Sequence, residues 1–370
     1  MLKIQEYLRS GKTPENLTAE LGIKVQRHET LPLAIFNYDQ IDSPKTNPIV
    51  REARGIVLHT GSWDLVARGF ARFFNWGEVA DELGLFDFSD FAVHTKEDGS
   101  LVLLYFFDGN WMANTRGSFS QLKLEPHDFT WQEAFCKALK ITSLQELKGR
   151  LDESLTYVCE FCSPYNKIVR RYPDPVMYLL TAFKGEQELP YKTVDTLAGD
   201  LFLRPARYEF TSIEGIQDFL NGQAETDPTY EGVVICDKDG RRWKIKSATY
   251  LGLHRLKGEG DNLFHPKHLI PFILAGEDTE LLTYFPEVEE TYQKCKKEVQ
   301  EAYTVLEGVW RASQGIENQK DYALAIMGKT PFTGLLFTLR KEHGPVQKLE
   351  DLKRAWRNGA DAILKHVFRR

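Results

Sequence analysis

His94-Thr95-Lys96-Glu97-Asp98-Gly99-Ser100 lies between two apolar, strand-forming runs, Phe91–Val93 and Leu101–Phe107. An Asp-Gly pair between such runs predicts a tight hairpin cornered at 98–99. A lysine at the lip of that strand has a fixed backbone and a long, mobile amine. That suits a nucleophile attacking a phosphate or carbonyl. A solvated hairpin carrying Lys, Glu and Asp reads the same way, so the surrounding chain has to decide.

Downstream the pattern continues as a meander, with a second corner at Asp108-Gly109 and a third strand ending in Asn114-Thr115-Arg116-Gly117-Ser118. Residues 129–150 read as a helix through Trp131, Phe135, Leu139, Leu144 and Leu147. Tyr157–Ile168 returns to strand character and sets Glu160 between Cys159 and Phe161, either on a solvated face or in a cleft. Met177–Phe183 reads as a strand and Ile213–Leu220 as a short helix. Glu231-Gly232-Val233-Val234-Ile235-Cys236 is a strand that opens on an acid, and a turn at Asp237–Gly240 returns it through Arg241–Ser247. Lys244 and Lys246 are two apart on that return strand and so share a face. Such a pair needs an anion, an acidic neighbour or open solvent. Upstream, Arg51–His59 runs from a charged segment into a strand. Gly69–Trp76 embeds Arg72 among aromatics, which by itself reads as an arginine stem packed over rings.

Past His254 the character changes. Gly258-Glu259-Gly260-Asp261 reads as a loop or linker. Val288, Tyr292, Cys295, Val299, Tyr303, Leu306 and Trp310 then follow helical spacing, as do Leu349, Leu352, Trp356, Ala360, Ile363 and Val367. The predicted organisation is α+β: a domain at 1–254 of antiparallel sheets with flanking helices, then an all-helical domain at 255–370. With 370 residues the chain is long enough for both. A net charge of −6 excludes a uniformly basic, nucleic-acid-coating surface and leaves room for a local basic groove. No run approaches the roughly 18 apolar residues of a membrane span, and five scattered cysteines suit a reducing cytoplasm. Cys159-x-x-Cys162 and His265-x-x-His268 lack the partners a zinc site needs.

Taken in order, KEDGS at 96–100, CEF at 159–161, EGVVI at 231–235 and KIK at 244–246 resemble the covalent nucleotidyltransferase superfamily of DNA ligases, RNA ligases and capping enzymes. REARGIVL at 51–58, RFFN at 72–75 and EFCSPYNKIV at 160–169 are similar to phage-type ATP-dependent RNA ligase family 1, the tRNA-repair ligases of T-even phages. Where that family places lysines, this chain has Arg72 and Arg116. These keep the charge but exchange a compact ammonium for a planar fork.

The resemblance implies an ATP-grasp-like nucleotidyltransferase domain followed by a helical domain that recognises RNA or tRNA. It implies that Lys96 attacks the α-phosphorus of ATP, that AMP passes to an RNA 5′-phosphate, and that a 3′-hydroxyl then seals the strand. Attack needs a neutral amine, whereas lysine ordinarily titrates near 10.4. Lys244, Lys246 and a Mg²⁺ or Mn²⁺ ion would favour that form and stabilise charge on phosphate. Arg54, Arg72 and Arg116 are implied at phosphates, Glu160 at the ribose hydroxyls, Val234 under the adenine and Glu231 at the metal. Asp98 orients the lysine segment or holds metal-bound water. The implied partner is RNA with 5′-phosphate and 3′-hydroxyl ends, plausibly nicked tRNA prepared by a separate kinase/phosphatase, in a cell's or a virus host's cytoplasm and away from membranes. Two alternatives stand: a non-catalytic binder of RNA ends, and a DNA ligase or capping enzyme. The latter would carry an OB barrel where this chain turns helical.

Overall fold

The two Asp-Gly pairs take different conformations, and the difference organises the molecule. Asp108 and Gly109 both have positive φ, 48° and 75°, as a type I′ hairpin turn requires. They join β7 (Ser100–Phe107) to its antiparallel neighbour β8 (Asn110–Thr115). Neither Asp98 nor Gly99 is among the positive-φ residues. The hairpin expected at 98–99 is therefore not formed. β6 (Phe91–Thr95) and β7 belong to different sheets, and Lys96–Gly99 carries the chain from one to the other. Its backbone is drawn away by bonds to tyrosines that local sequence does not reveal.

The computed structural model describes residues 1–79, 83–125, 127–166, 170–227, 229–255, 265–276, 282 and 288–368. The chain divides into units Met1–His254 and Arg255–Arg370. The first unit holds three sheets. One runs β1 (Ile23–Arg27), β2 (Leu33–Tyr38), β3 (Arg54–His59), β4 (Leu65–Ala67). A second has the order β11-β10-β9-β7-β8, with β9 at Leu155–Cys162, β10 at Val176–Lys184 and β11 at Gln187–Glu188. The third has the order β12-β6-β13-β14-β5, adding β5 (Phe74–Asn75), β12 (Arg207–Tyr208), β13 (Gly232–Asp237) and β14 (Arg242–Lys246). Among the described residues every pairing between named strands is antiparallel except β5 with β14. Alternation along the strands sends Val233, Ile235 and Ile245 into a core with Ile216 and Leu220 of the helix Ile213–Thr226. The opposite face of β13 and β14 is left for polar groups.

The helix expected over 129–150 is shorter. It spans Trp131–Leu139, starting from a Thr130–Glu133 capping box and stopping at Lys140, whose φ is 56°; a 3₁₀ turn at Leu144–Leu147 follows. In the second unit the elements among the described residues are all helices. Its Glu289–Ser313 helix buries Tyr292, Cys295, Val299, Leu306 and Trp310, the apolar stripe the spacing predicts. The C-terminal helical pattern is interrupted after Leu349–Arg357 by Asn358 and Gly359, and resumes at Ala360. The strand expected over Tyr157–Ile168 ends at Cys162; Lys167 and Ile168 from that expectation, Gly258-Glu259-Gly260-Asp261, and Arg369 and Arg370 lie outside the described residues.

Candidate active site

Register across β6, β13 and β14 sets two rows of side chains on one sheet face. His94, Val234 and Lys244 are in-register neighbours. One step along, Lys246 pairs with Gly232, and Lys96 extends β6 by donating its N–H to the Gly232 carbonyl at 2.8 Å. Alternation then places Lys96 on the face of His94, and Lys246 on the face of Lys244. Gly232 is obligatory in this row: its φ is +146°, and a Cβ there would sit 2.2 Å from the Ile245 carbonyl oxygen.

Beneath the second row lies Glu231, only 4% exposed. Its Oε1 accepts from Lys96 Nζ at 2.7 Å and Lys246 Nζ at 3.3 Å. Of the three ways to accommodate clustered lysines, Lys246 has the acidic neighbour and shares it with Lys96. Glu231 Oε2 is buried without a hydrogen-bond partner. An orphaned carboxylate oxygen beside two ammonium groups fits a hard divalent cation whose remaining ligands are water and phosphate oxygens. Among the described residues no cluster of three or more acidic, His or Cys side chains forms a self-sufficient cage.

The Lys96 crossover is tied on both sides. Tyr250, in the helix Ala248–Arg255, donates its hydroxyl to Asp98 Oδ1 at 3.0 Å, while the Arg170 N–H reaches Oδ2 at 2.7 Å. Tyr172 donates its hydroxyl to Glu97 Oε2 at 2.9 Å and accepts the Asp98 N–H at 3.2 Å. Burial pushes the Glu97 carboxyl above the ordinary carboxylate range. Gly99 presses on β9 so closely that a Cβ would lie 2.3 Å from the Phe161 carbonyl oxygen. Asp98 is thus bonded to Tyr250, to the Arg170 N–H and to Tyr172, which fix the segment that carries Lys96.

A second cationic group surrounds Tyr38 and Phe73. The Arg72 guanidinium lies 4.2 Å from the Tyr38 ring centroid and the Arg116 guanidinium 5.3 Å. Arg54 stands 4.7 Å over Phe73, and Lys244 Nζ 5.0 Å from the same ring. The reading of Arg72 as a stem over aromatics therefore holds, yet its buried Nη1 has no hydrogen-bond partner, and neither do Nε and Nη1 of Arg54. Unsatisfied buried guanidinium donors suit an anion. Glu160, level with Leu101 and Tyr178, links the groups. Burial raises its pKa to about 7; Lys96 and Arg54 draw it down, while Glu231 and Asp98 push it up.

A cavity of about 540 Å³ opens beside these residues, lined among others by Phe73, His94, Thr95, Leu180, Tyr191 and Val234. Of the ten residues singled out from sequence, Val234 lines this cavity; Lys96, Glu231 and Lys246 form the ion-paired row one step along the sheet, and Arg54, Arg72, Arg116 and Lys244 gather around Tyr38 and Phe73. Sequence reasoning missed Tyr38, Phe73, Tyr172 and Tyr250. Only Phe73 carried a local signal, as an aromatic directly after Arg72.

An RNA ligase family model matches residues 52–251. A curated relative from Autographa californica nuclear polyhedrosis virus, described as "Putative bifunctional polynucleotide kinase/RNA ligase", is 29% identical over 309 residues, 77% of this chain and 42% of that one. This chain thus spans less than half of that relative's length. Among solved structures, an archaeal ATP-dependent RNA ligase is 14% identical and covers 82% of each chain at a TM-score of 0.49. A Naegleria gruberi RNA ligase structure with ATP and Mn is 16% identical, covering 49% of this chain and 56% of that one at a TM-score of 0.37.

Proposed function

Since this chain belongs to the phage-type RNA ligase family, we propose that it joins RNA ends at the expense of ATP through a covalent lysyl–AMP intermediate on Lys96. The observation that carries this reading is the shared carboxylate: Lys96 and Lys246 converge on Glu231 Oε1, one step along the sheet from the cavity residues His94 and Val234. Such a lysine is held in place without being consumed by packing. In the first step the Lys96 amine attacks the α-phosphorus, an N–P bond forms, the bond to the β-phosphate bridging oxygen breaks, and pyrophosphate leaves. In the second, a 5′-phosphate oxygen of the RNA displaces the lysine, breaking the N–P bond. In the third, a 3′-hydroxyl oxygen attacks the RNA's own 5′-phosphorus, a phosphodiester bond forms, the bond from that phosphorus to the oxygen bridging it to AMP breaks, and AMP leaves.

Lys244 and Lys246 stabilise negative charge as it shifts among phosphate oxygens, where positioning and electrostatics supply most of the catalysis. Arg54, Arg72 and Arg116 take the triphosphate and the RNA phosphate, Glu160 the ribose hydroxyls, and Val234 one face of the base. A Mg²⁺ or Mn²⁺ ion, held through Glu231 Oε2, would supply Lewis-acid charge stabilisation. RNA carrying a 5′-phosphate and a 3′-hydroxyl is the substrate, with nicked tRNA the favoured structured form. The viral relative's name pairs ligation with a polynucleotide kinase, which supports a supply of 5′-phosphates from an end-healing activity.

The test is protein incubated with α-labelled ATP and resolved on a denaturing gel. Wild type should carry label, and Lys96→Ala and Lys96→Arg should not, since a guanidinium stays protonated. Both variants should still seal RNA already bearing a 5′-adenylate, a step that needs no lysine nucleophile. Label on Lys96→Ala would discard the assignment. A wild type that binds RNA ends but never takes label would favour a non-catalytic binder.

A further inference from the structure

The cavity beside Lys96 contains a polar group with nothing to do. His94 lies two residues before Lys96 on the same sheet face, about 7 Å along the strand, and directly across from Val234. Its imidazole stacks on Tyr191 with centroids 4.6 Å apart and planes 21° from parallel, so the ring is held in one orientation. Arg204 and Arg207 cover Tyr191 at 4.6 and 5.0 Å. Yet His94 Nδ1 is buried and has no hydrogen-bond partner. Thr181 and Arg242 on the same wall are engaged: Thr181 donates to Glu188 at 2.7 Å, and Arg242 bonds Glu188 at 3.0 Å. Nη2 of Arg204, also on this wall, is like His94 Nδ1 buried without a partner, and buried unpaired polar atoms lining a cavity call for an explanation, of which a ligand is one.

We propose that His94 is a specificity-determining residue, whose Nδ1 accepts a hydrogen bond from the exocyclic 6-amino group of a purine nucleotide bound in this cavity. This rests on the nucleotidyl transfer proposed above, which puts the phosphates at Lys96 and the base over Val234. A base lying over Val234 has His94 as its in-register neighbour. Burial, reinforced by Arg204, Arg207 and Arg242, pushes the imidazole pKa down to about 4. At neutral pH the ring therefore keeps one lone pair. The three guanidinium groups favour that lone pair where the ring meets the cavity. An amino group at C6 satisfies it, a carbonyl repels it, and a bare C6–H leaves it unpaired.

The experiment compares lysyl–nucleotide formation from ATP, GTP and purine riboside triphosphate, which lacks the 6-amino group, in wild type, His94→Phe and His94→Asn. Phenylalanine keeps the stack on Tyr191 without the nitrogen; asparagine keeps a polar atom near the Nδ1 position. Wild type should favour ATP over the purine riboside analogue by roughly tenfold or more, the usual effect of stranding one buried partner. His94→Phe should bring that ratio close to one, and His94→Asn should restore part of it. An ATP preference unchanged in His94→Phe overturns the inference while leaving the ligase reading intact. Failure of wild type to label with any nucleotide overturns the ligase reading instead. Should His94→Phe lose its thermal unfolding transition, His94→Asn with the same two nucleotides decides: a ratio clearly below that of wild type supports the role and an unchanged ratio removes it.

Discussion

A carboxyl group that titrates near neutrality in the folded state makes stability fall as pH rises. Glu160 is such a group, its pKa lifted from 4.5 to about 7 mainly by burial. Between those values the folded chain binds a proton that the unfolded chain has released, so stability is lost through that window and the loss is complete above it. The shift corresponds to a penalty on the order of 3 kcal/mol at pH 8. Glu160→Gln removes the titration. The variant should therefore unfold at higher urea than wild type at pH 8, with the gap closing toward pH 5, while lysyl–AMP formation weakens. Equal midpoints at pH 8 would show that the cleft does not strain this carboxylate. The residue types at this site were legible because the chemistry fixes them: a lysine before Asp-Gly, an acid opening a strand, two lysines two apart. The supports of Arg72 and Arg116 were not. A guanidinium can lie flat on a ring as an ammonium cannot, and Tyr38 sits 34 and 78 residues away from those arginines.

Among the elements, the hairpin pattern at 98–99 predicted a turn and the structure has a crossover, because an Asp-Gly pair specifies a corner only when nothing distant claims its backbone. Tyr172 and Tyr250 make that claim, 74 and 152 residues from Asp98. The strands β7, β8, β10, β13 and β14, by contrast, were readable from apolar, strand-forming runs between turn signals, whereas β1 and β2 drew no strand reading and β9 stops at Cys162, short of the expected end at Ile168. The two glycines should respond differently to the same substitution. Gly109 has φ 75°, and a Cβ added there would meet nothing within 4 Å, so Gly109→Asn should cost under about 1 kcal/mol, asparagine tolerating this region. Gly99→Asn would drive its Cβ into the Phe161 carbonyl and the Cys162 sulfur, 2.3 and 2.8 Å away, and should cost several times more. Urea melts of the two variants check this. Comparable losses would mean that the crossover yields as easily as the hairpin. Tyr250→Phe is the gentler probe of the same segment: loss of one bond to Asp98 should slow lysyl–AMP formation several-fold with little change in melting temperature.

Across the molecule, the change of pattern near residue 255 marked the boundary because helical spacing replaces alternation there. Among the described residues the cores of the first unit draw on residues before His254, and those of the second on residues after it. Patterning could not say which basic residues near the C-terminus are free. Arg340 is 9% exposed; it stacks over Tyr322 at 4.3 Å and bonds Gln319 and the Glu317 carbonyl. Arg354 is paired with Asp351 at 3.1 Å. Lys341, Lys348 and Lys365 are exposed, and on a chain of net charge −6 they are the candidates for contacts to an RNA backbone. Changing all three to glutamine should leave stability and lysyl–AMP formation unchanged, since none belongs to the catalytic unit. Binding of nicked tRNA should weaken, and the slope of log affinity against log salt should become shallower by about 2 to 3, one released counterion for each lost phosphate contact. Ligation of short unstructured oligonucleotides should barely change. A fragment ending at Arg255 makes the stronger form of the comparison: it should still take label from ATP and join simple oligonucleotides, but lose any preference for a structured break. If the fragment and the triple variant both keep the full-length ratio of tRNA to oligonucleotide sealing at low and moderate salt, the helical unit reads no RNA, and substrate choice must then reside in the cleft around Lys96.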